Sequence, residues 1–179
     1  MNFILNSETL TQLNQLGEIL ARRKLNLTCA ESCTGGGLAY LLTSVAGSSR
    51  WFKQAWVTYS LATKIKELNI DATCIETHGV VSNETAEAMA KGALLQAGSD
   101  LALSTTGIAG PGGAEPNRPV GTVYFGFAIR LSTGIKTFSW RQEFTGGRLE
   151  IREAAILEAF RYLYETIVIQ SISAKSSFI

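Results

Sequence analysis

The stretch Thr28 to Leu42, TCAESCTGGGLAYLL, decides the fold. An apolar run leads into Ser32 and Cys33, three consecutive glycines follow, and a second apolar run leaves them. This order is typical of a buried strand that ends in a tight turn and continues as a helix. Glycines also let backbone N–H groups approach an anion or a carbonyl oxygen. The stretch is therefore either a reactive site beside a backbone cradle or only a tight turn.

A second stretch, ALSTTGIAGPGG at residues 102–113, repeats the design of an apolar strand, hydroxyl side chains and a glycine loop. Ligands of open α/β sheets bind beyond the carboxyl ends of the strands. We expect both loops to face one crevice there. Two such loops in one chain favour a binding site over two unrelated turns.

The rest of the chain surrounds these strands with helices. Apolar spacing predicts helices over 7–23 and 82–98 and a last helix over 148–169, and LATKIKELNI at 61–70 has a helical pattern. FKQAWVTYS, at 52–60, is expected to be a strand, and 120–131 and 135–145 a hairpin. The sequence predicts a three-layer α/β/α sandwich with a mixed sheet. We expect one domain over 1–170 and a polar, frayed tail over 171–179.

Composition excludes several classes of protein. The net charge is +1 and the chain shows no large basic cluster, which argues against a nucleic-acid partner. It contains no apolar run of membrane-spanning length and no export signal at its start, so we expect no membrane association. Its three cysteines form no CxxC pair, which favours free thiols and a cytoplasmic location. With one histidine and no acidic cluster, a metal site is not expected.

Several side chains near the glycine loops could carry chemistry. Ser32 and Cys33 are candidate nucleophiles, although a cysteine at a strand end is usually a small buried apolar residue. A nucleophile needs a proton acceptor, and the candidates are Tyr59 at a strand end and Lys64 in the next helix. Spacing alone equally allows Lys64 to be a solvated helix lysine. The glycine patterns match neither an ATP nor a dinucleotide fingerprint.

Five segments together resemble the CinA C-terminal domain family. They are AESCTGG, AGSSRWF, VTYSLATK, TGIAGPGG and RPVGTVYF, in the family's order, and the resemblance covers about residues 8–168. It implies the family's α/β fold and hydrolysis of nicotinamide mononucleotide to nicotinate mononucleotide and ammonia, in pyridine-nucleotide salvage, without metal or cofactor. It also implies a small-molecule nucleotide as partner and a cytoplasmic homodimer or higher homo-oligomer.

The same resemblance implies roles for individual residues. Ser32 would be the nucleophile, with Tyr59, Lys64 and Thr106 completing the catalytic centre. On this reading Tyr59 and Lys64 are expected to relay the Ser32 proton, and the amides of the 34–37 turn to hold the oxyanion. The 107–113 loop, together with either Arg118 or Arg148, would hold the nucleotide phosphate. The substrate-binding residues implied are Thr34, Gly35, Gly36, Ser48, Gly107, Gly110, Gly112, Arg118 and Arg148.

Two positions depart from the family pattern. Leu61 follows the YS pair where the family usually has Asn, and Gly147 stands where an Asp is expected before the last helix. A catalytically silent, nucleotide-binding or regulatory paralogue is therefore the alternative to the amidase. A hydrolase that uses Cys33 is a third hypothesis.

Overall fold

The computed structural model describes residues 5–169. The expected polar tail lies outside the described residues. The chain alternates helices and strands up to β3 and then forms a hairpin and a long helix. The elements are α1 Ser7–Arg23, β1 Leu27–Glu31, α2 Gly37–Leu42, a 3₁₀ turn Ser48–Arg50, β2 Phe52–Val57, α3 Leu61–Leu68, α4 Ala72–His78, α5 Asn83–Ala97, β3 Leu101–Gly107, β4 Thr122–Leu131, β5 Gly134–Glu143, α6 Arg148–Tyr164 and a π-helical segment Glu165–Ile169.

One sheet of five strands, in the order β2-β1-β3-β4-β5, forms the middle layer. β1 runs parallel to β2 and β3, whereas β4 is antiparallel to both β3 and β5. The sheet is therefore mixed, and its parallel part ends at one edge with the carboxyl ends of β2, β1 and β3 side by side.

Helices cover both faces of the sheet. α1, α2 and α6 enclose a large core that includes Leu16, Leu38 and Phe160 against Leu103 and Phe125 of the sheet. On the opposite face a smaller core lies around α5. This arrangement confirms the predicted three-layer α/β/α sandwich with a mixed sheet.

Several boundaries differ from the sequence prediction. β2 ends at Val57 rather than at residue 60, because Ser60 caps α3 by accepting a hydrogen bond from the Thr63 amide. The sequence LAYLLTSV predicts a helix over 38–45 after the glycines, and the observed helix α2 ends at Leu42. α4, which Asp71 caps, was not predicted, since its seven residues are too few for a clear period.

Candidate active site

Three strand ends bring polar residues to one edge of the sheet. Ser32 follows β1, Thr58 follows β2, and Thr106 lies at the end of β3. The Ser32 amide donates to the Thr105 carbonyl, and the Thr58 amide donates to the Glu31 carbonyl. The parallel register therefore continues just past β1 and holds Ser32 between its two neighbours, at the edge where the sequence predicted a crevice.

Lys64 lies directly against Ser32. Its Nζ donates to Ser32 Oγ at 2.9 Å and to the Thr58 carbonyl oxygen at 2.6 Å. The side chain reaches this position because α3 begins immediately after Ser60, which turns the first helical turn back over the strand ends. With a side chain that is 0% exposed, Lys64 is a buried lysine rather than a solvated one.

Burial changes the acid–base behaviour of Lys64. Loss of water around the ammonium lowers the pKa of Lys64 from 10.5 to about 8, and the nearby Cys33 opposes this only in part. A lysine with such a pKa is partly neutral near physiological pH and can accept a proton. The pair Ser32–Lys64 therefore has the geometry that a serine nucleophile with a lysine base requires, and the lowered pKa of Lys64 leaves a fraction of its amine neutral.

Cys33 has the opposite properties. It is 6% exposed, and burial raises the pKa of its thiol from 9.0 to about 12. The thiolate is the nucleophilic form of cysteine, and a buried thiol with a raised pKa is inert. The electrostatics of the site therefore favour Ser32 over Cys33 as the nucleophile.

A cavity of about 200 Å³ opens in front of the pair. The Thr106 hydroxyl donates to the Val80 carbonyl at 2.8 Å, so its oxygen can still accept a hydrogen bond from a ligand. Both polar and apolar side chains line the cavity. The lining residues are Ser32, Cys33, Tyr59, Val80, Val81, Thr106, Gly107, Ala109 and Arg148.

Tyr59 and Arg148 lie together at the cavity mouth. Tyr59 is 60% exposed, and its hydroxyl accepts a hydrogen bond of 2.9 Å from the Arg148 guanidinium. Arg148, the first residue of α6, also donates to the Gly110 carbonyl at 2.8 Å. Arg148 therefore joins the second glycine loop to Tyr59 and presents a cation at the entrance.

The first glycine loop is not a free anion cradle. The Gly36, Leu38 and Ala39 amides all donate to the carboxylate of Glu31, at 3.0, 3.0 and 2.8 Å. The Gly35 amide donates to the Ser32 carbonyl. The Gly37 amide donates to the Thr34 carbonyl. The amides of residues 35–37 are therefore all used within the protein, and the expectation that the 34–37 turn holds the oxyanion is wrong for these three residues.

The structure places other predicted binding residues away from the cavity lining. Thr34 is fully buried and shares a hydrogen bond of 2.7 Å with the Thr105 hydroxyl. Arg118 pairs with Glu115 and donates to the His78 carbonyl at 3.1 Å. Gly107 lines the cavity. Gly110 does not line it, but its carbonyl accepts a hydrogen bond from Arg148, which does. The predicted residues that do not line the cavity also include Gly35, Gly36, Ser48 and Gly112.

Sequence reasoning gave no role to Glu31, Val80 or Val81. Glu31 carries a signal that could have been used, because a carboxylate at the end of an apolar strand needs a buried partner. Val80 and Val81 lie in the loop after α4, the helix that was not predicted, and nothing in their spacing marks them as cavity residues.

Residues 5–169 contain neither a metal-binding cluster nor a membrane-spanning helix. No group of three His, Cys, Asp or Glu side chains there is placed to hold a metal ion, and the metal-free reaction stays a prediction. Within the same residues no helix has both the length and the apolar character needed to span a bilayer.

Comparisons with known proteins show which family this chain belongs to. The nicotinamide-nucleotide amidohydrolase PncC of Shigella flexneri is 41% identical over 160 residues, which cover 89% of this chain and 95% of that protein. A CinA-like protein of Chloroherpeton thalassium is 47% identical over 138 residues, and the chain spans 33% of its length. The crystal structure of competence damage-inducible protein A from Klebsiella pneumoniae superposes with a TM-score of 0.82 at 30% identity, covering 94% of this chain and 99% of that one. The family model of the CinA C-terminal domain matches residues 10–167. This chain therefore belongs to the CinA C-terminal domain family.

Proposed function

We propose that this protein hydrolyses the carboxamide of nicotinamide mononucleotide with Ser32 as nucleophile and Lys64 as base. The observation that carries the proposal is the 2.9 Å contact between the buried Lys64 amine and Ser32 Oγ at the cavity. A relative that is 41% identical over nearly its whole length is named a nicotinamide-nucleotide amidohydrolase.

Acylation follows from this contact. Ser32 Oγ forms a bond to the carboxamide carbon, the C=O π electrons move onto oxygen, and the Oγ proton passes to Lys64 Nζ. When the tetrahedral intermediate collapses, the C–N bond breaks and the Lys64 ammonium protonates the leaving amine. Ammonia and an ester of Ser32 result, and Lys64 is neutral again.

Deacylation repeats the same proton transfers with water. Water adds to the ester carbon while Lys64 takes one of its protons, and the C–Oγ bond then breaks with return of that proton to Ser32. The products are nicotinate mononucleotide and the free serine. A single base therefore serves both halves of the reaction, and no relay through Tyr59 is needed.

The cavity supports one orientation of the substrate. Its volume of about 200 Å³ lies below the range of about 300–1,000 Å³ that holds a whole drug-sized ligand. We place the pyridine ring against Val80 and Val81, with the carboxamide N–H donating to the Thr106 oxygen. Ribose and phosphate then extend past Tyr59 to Arg148, the exposed cation at the mouth.

Ammonia release from nicotinamide mononucleotide by the purified protein tests this function. We expect turnover by the wild type, a loss of at least about 1,000-fold in Ser32→Ala, and activity within about 3-fold of wild type in the control Cys33→Ser. Calorimetric titration with the same nucleotide identifies the silent alternative, which would bind it without releasing ammonia. A Cys33→Ser variant that lost activity would instead make the cysteine the nucleophile.

We also propose that the protein acts in the cytoplasm as a homo-oligomer. Its three free cysteines fit a reducing compartment. Tyr40, Val57 and Leu61 are exposed large apolar side chains on α2, the edge strand β2 and the start of α3. Light scattering after size-exclusion chromatography tests the assembly, and a monomer at micromolar concentration would contradict it.

A further inference from the structure

Glu31 is a buried carboxylate next to the nucleophile that the reaction above leaves without a role. It ends β1, is 0% exposed, and precedes Ser32 in the chain. One of its oxygens, Oε2, accepts the Gly36 and Leu38 amides, and Oε1 accepts the Ala39 amide and contacts the Cys29 thiol at 3.8 Å. Glu31 therefore fixes the first turn of α2 against the end of β1.

The donors of the Ser32–Gly37 turn can then be accounted for one by one. The Gly35 amide donates to the Ser32 carbonyl at 3.2 Å, and the Gly37 amide donates to the Thr34 carbonyl at 3.2 Å. Gly36 donates to Glu31. Within residues 5–169, the amides of Cys33 and Thr34 donate no hydrogen bond to another residue. They are the two amides that directly follow the nucleophile.

We infer that Glu31 is a positioning residue that holds this turn so that the Cys33 and Thr34 amides bind the oxyanion of the tetrahedral intermediate. This inference rests on the proposed serine chemistry. Amides aimed at the developing oxyanion lower the barrier only if they are fixed before the reaction. Glu31 supplies that fixation through three main-chain hydrogen bonds on the far side of the turn.

Glutamine at position 31 would disturb this arrangement with little change in volume. Its amide has one acceptor oxygen and one NH₂ group, whereas Glu31 uses both oxygens as acceptors. The NH₂ group would face a main-chain N–H, so at least one of the three hydrogen bonds is lost. The turn that carries Cys33 and Thr34 then loses part of its support, while Lys64, which Glu31 does not contact, keeps its surroundings.

Steady-state kinetics of Glu31→Gln with nicotinamide mononucleotide test the inference. We expect kcat to fall at least about 100-fold, with KM within about 3-fold of wild type and the pH of half-maximal kcat/KM unchanged. Glu87→Gln is the matched control, because Glu87 is a partly buried carboxylate that accepts hydrogen bonds from Thr137 and Ser139 and does not line the cavity. A folded Glu31→Gln enzyme with wild-type kcat would make Glu31 a helix cap only. A shift in the pH of half-maximal kcat/KM would overturn the inference that Glu31 positions the turn, because the substitution would then act on Lys64.

Labelling with a fluorophosphonate separates this inference from the choice of substrate. Ser32 Oγ bonds to phosphorus, fluoride leaves, and the Oγ proton passes to Lys64, so the rate reports the same oxyanion site without a nucleotide. We expect wild type and Glu87→Gln to be labelled at Ser32 and Glu31→Gln to be labelled at least about 30-fold more slowly. Labelling without ammonia release would refute the substrate alone. A wild-type Ser32 that neither reacts with the probe nor turns over the nucleotide would overturn both proposals.

The labelled wild-type protein gives a test that does not depend on the folding of a variant. In a crystal structure of the Ser32 adduct, we expect the phosphoryl oxygen within about 3.2 Å of the Cys33 and Thr34 nitrogens, with the Gly36 amide still on Glu31. A phosphoryl oxygen held by Tyr59 or Arg148, or by a Gly36 amide released from Glu31, would overturn the inference.

Discussion

Replacing Lys64 by methionine should change how the stability of the protein depends on pH. Folding lowers the pKa of Lys64 from 10.5 to about 8 through loss of water, so the folded state releases a proton that the unfolded chain keeps between these two values. The unfolded state binds more protons in this window, and the free energy of unfolding therefore rises with pH there. Below about pH 7 both states hold the proton and the contribution is constant.

The size of the effect follows from the two pKa values. Their difference of about 2.5 corresponds to about 3 kcal/mol, the disadvantage that the buried ammonium imposes on the folded state at neutral pH. About 2.5 kcal/mol of this is recovered by the wild type between about pH 7 and about pH 10. Methionine has similar length and no charge, so Lys64→Met lacks this recovery. The loss of the hydrogen bonds to Ser32 and to the Thr58 carbonyl is the same at each pH and cancels from the slope.

Urea unfolding of both proteins at about pH 7, 8, 9 and 10 measures the effect. We expect the wild type to gain about 2.5 kcal/mol relative to Lys64→Met over this range. Burial raises the thiol pKa of Cys29 well above its usual value and that of Cys33 to about 12, so both stay protonated in the folded state of either protein up to about pH 10. Their titration in the unfolded chain is common to both proteins and cancels in the difference. Lys66→Met is the matched control, because Lys66 lies on the same helix with a side chain that is 82% exposed, and it should follow the wild-type pH dependence. A flat difference between wild type and Lys64→Met would refute the desolvation of Lys64 and with it the physical basis for a lysine base.

Three further predictions concern activity. The kcat/KM for nicotinamide mononucleotide should rise with pH to a plateau above about 8, since Lys64 must be neutral to accept the proton. Lys64→Arg should be inactive at every pH because a guanidinium stays protonated. A partly active Lys64→Arg would instead make Lys64 a residue that only anchors the substrate. Arg148→Met should raise KM for the nucleotide about 10-fold and leave KM for the phosphate-free riboside unchanged, whereas Arg118→Met, whose guanidinium already pairs with Glu115, should leave both unchanged. Dialysis against EDTA should leave kcat unchanged, and a loss restored by a divalent ion would contradict the metal-free mechanism.

The position of the candidate site could be predicted from the sequence, because it depends on a general property of parallel strands. β1 and β3 are adjacent and parallel, so the hydroxyl residues at their ends meet at one edge whatever the details of packing. The burial of Lys64 could not be predicted in this way. Its spacing in α3 fits a solvated lysine equally well, and only the packing of α3 over Ser32 and Thr58 distinguishes the two.

The use of the glycine-rich turn shows a second limit of sequence reasoning. Three glycines after a strand predict available amides, and the pattern contains no information about which group accepts them. In the structure, the Glu31 carboxylate accepts hydrogen bonds from the Gly36 amide and from two amides of α2, and Gly35 and Gly37 donate to main-chain carbonyls. A local carboxylate therefore competes with a ligand for main-chain N–H donors of this turn. Within residues 5–169, the amides of the turn that donate to no other residue are those of Cys33 and Thr34, which precede the glycines.

The geometry also decides how much weight the two departures from the family pattern carry. Leu61 is the first residue of α3, is 46% exposed and does not line the cavity, and the helix still begins at its Ser60 cap, which places Lys64 on Ser32. Gly147 precedes α6, where an Asp cap would stabilise the helix by only a few tenths of a kcal/mol more than glycine.

The Gly147 amide itself is satisfied by the Glu150 carboxylate at 2.6 Å, so α6 starts where Arg148 can reach Tyr59 and the Gly110 carbonyl. A silent paralogue requires a change that removes the nucleophile, its base or the entrance to the cavity. Neither departure does so. Lys64, three residues after Leu61, keeps its contact with Ser32, and Arg148, directly after Gly147, keeps its contacts with Tyr59 and the Gly110 carbonyl. The structure therefore favours the amidase over the silent paralogue, and turnover should survive both departures.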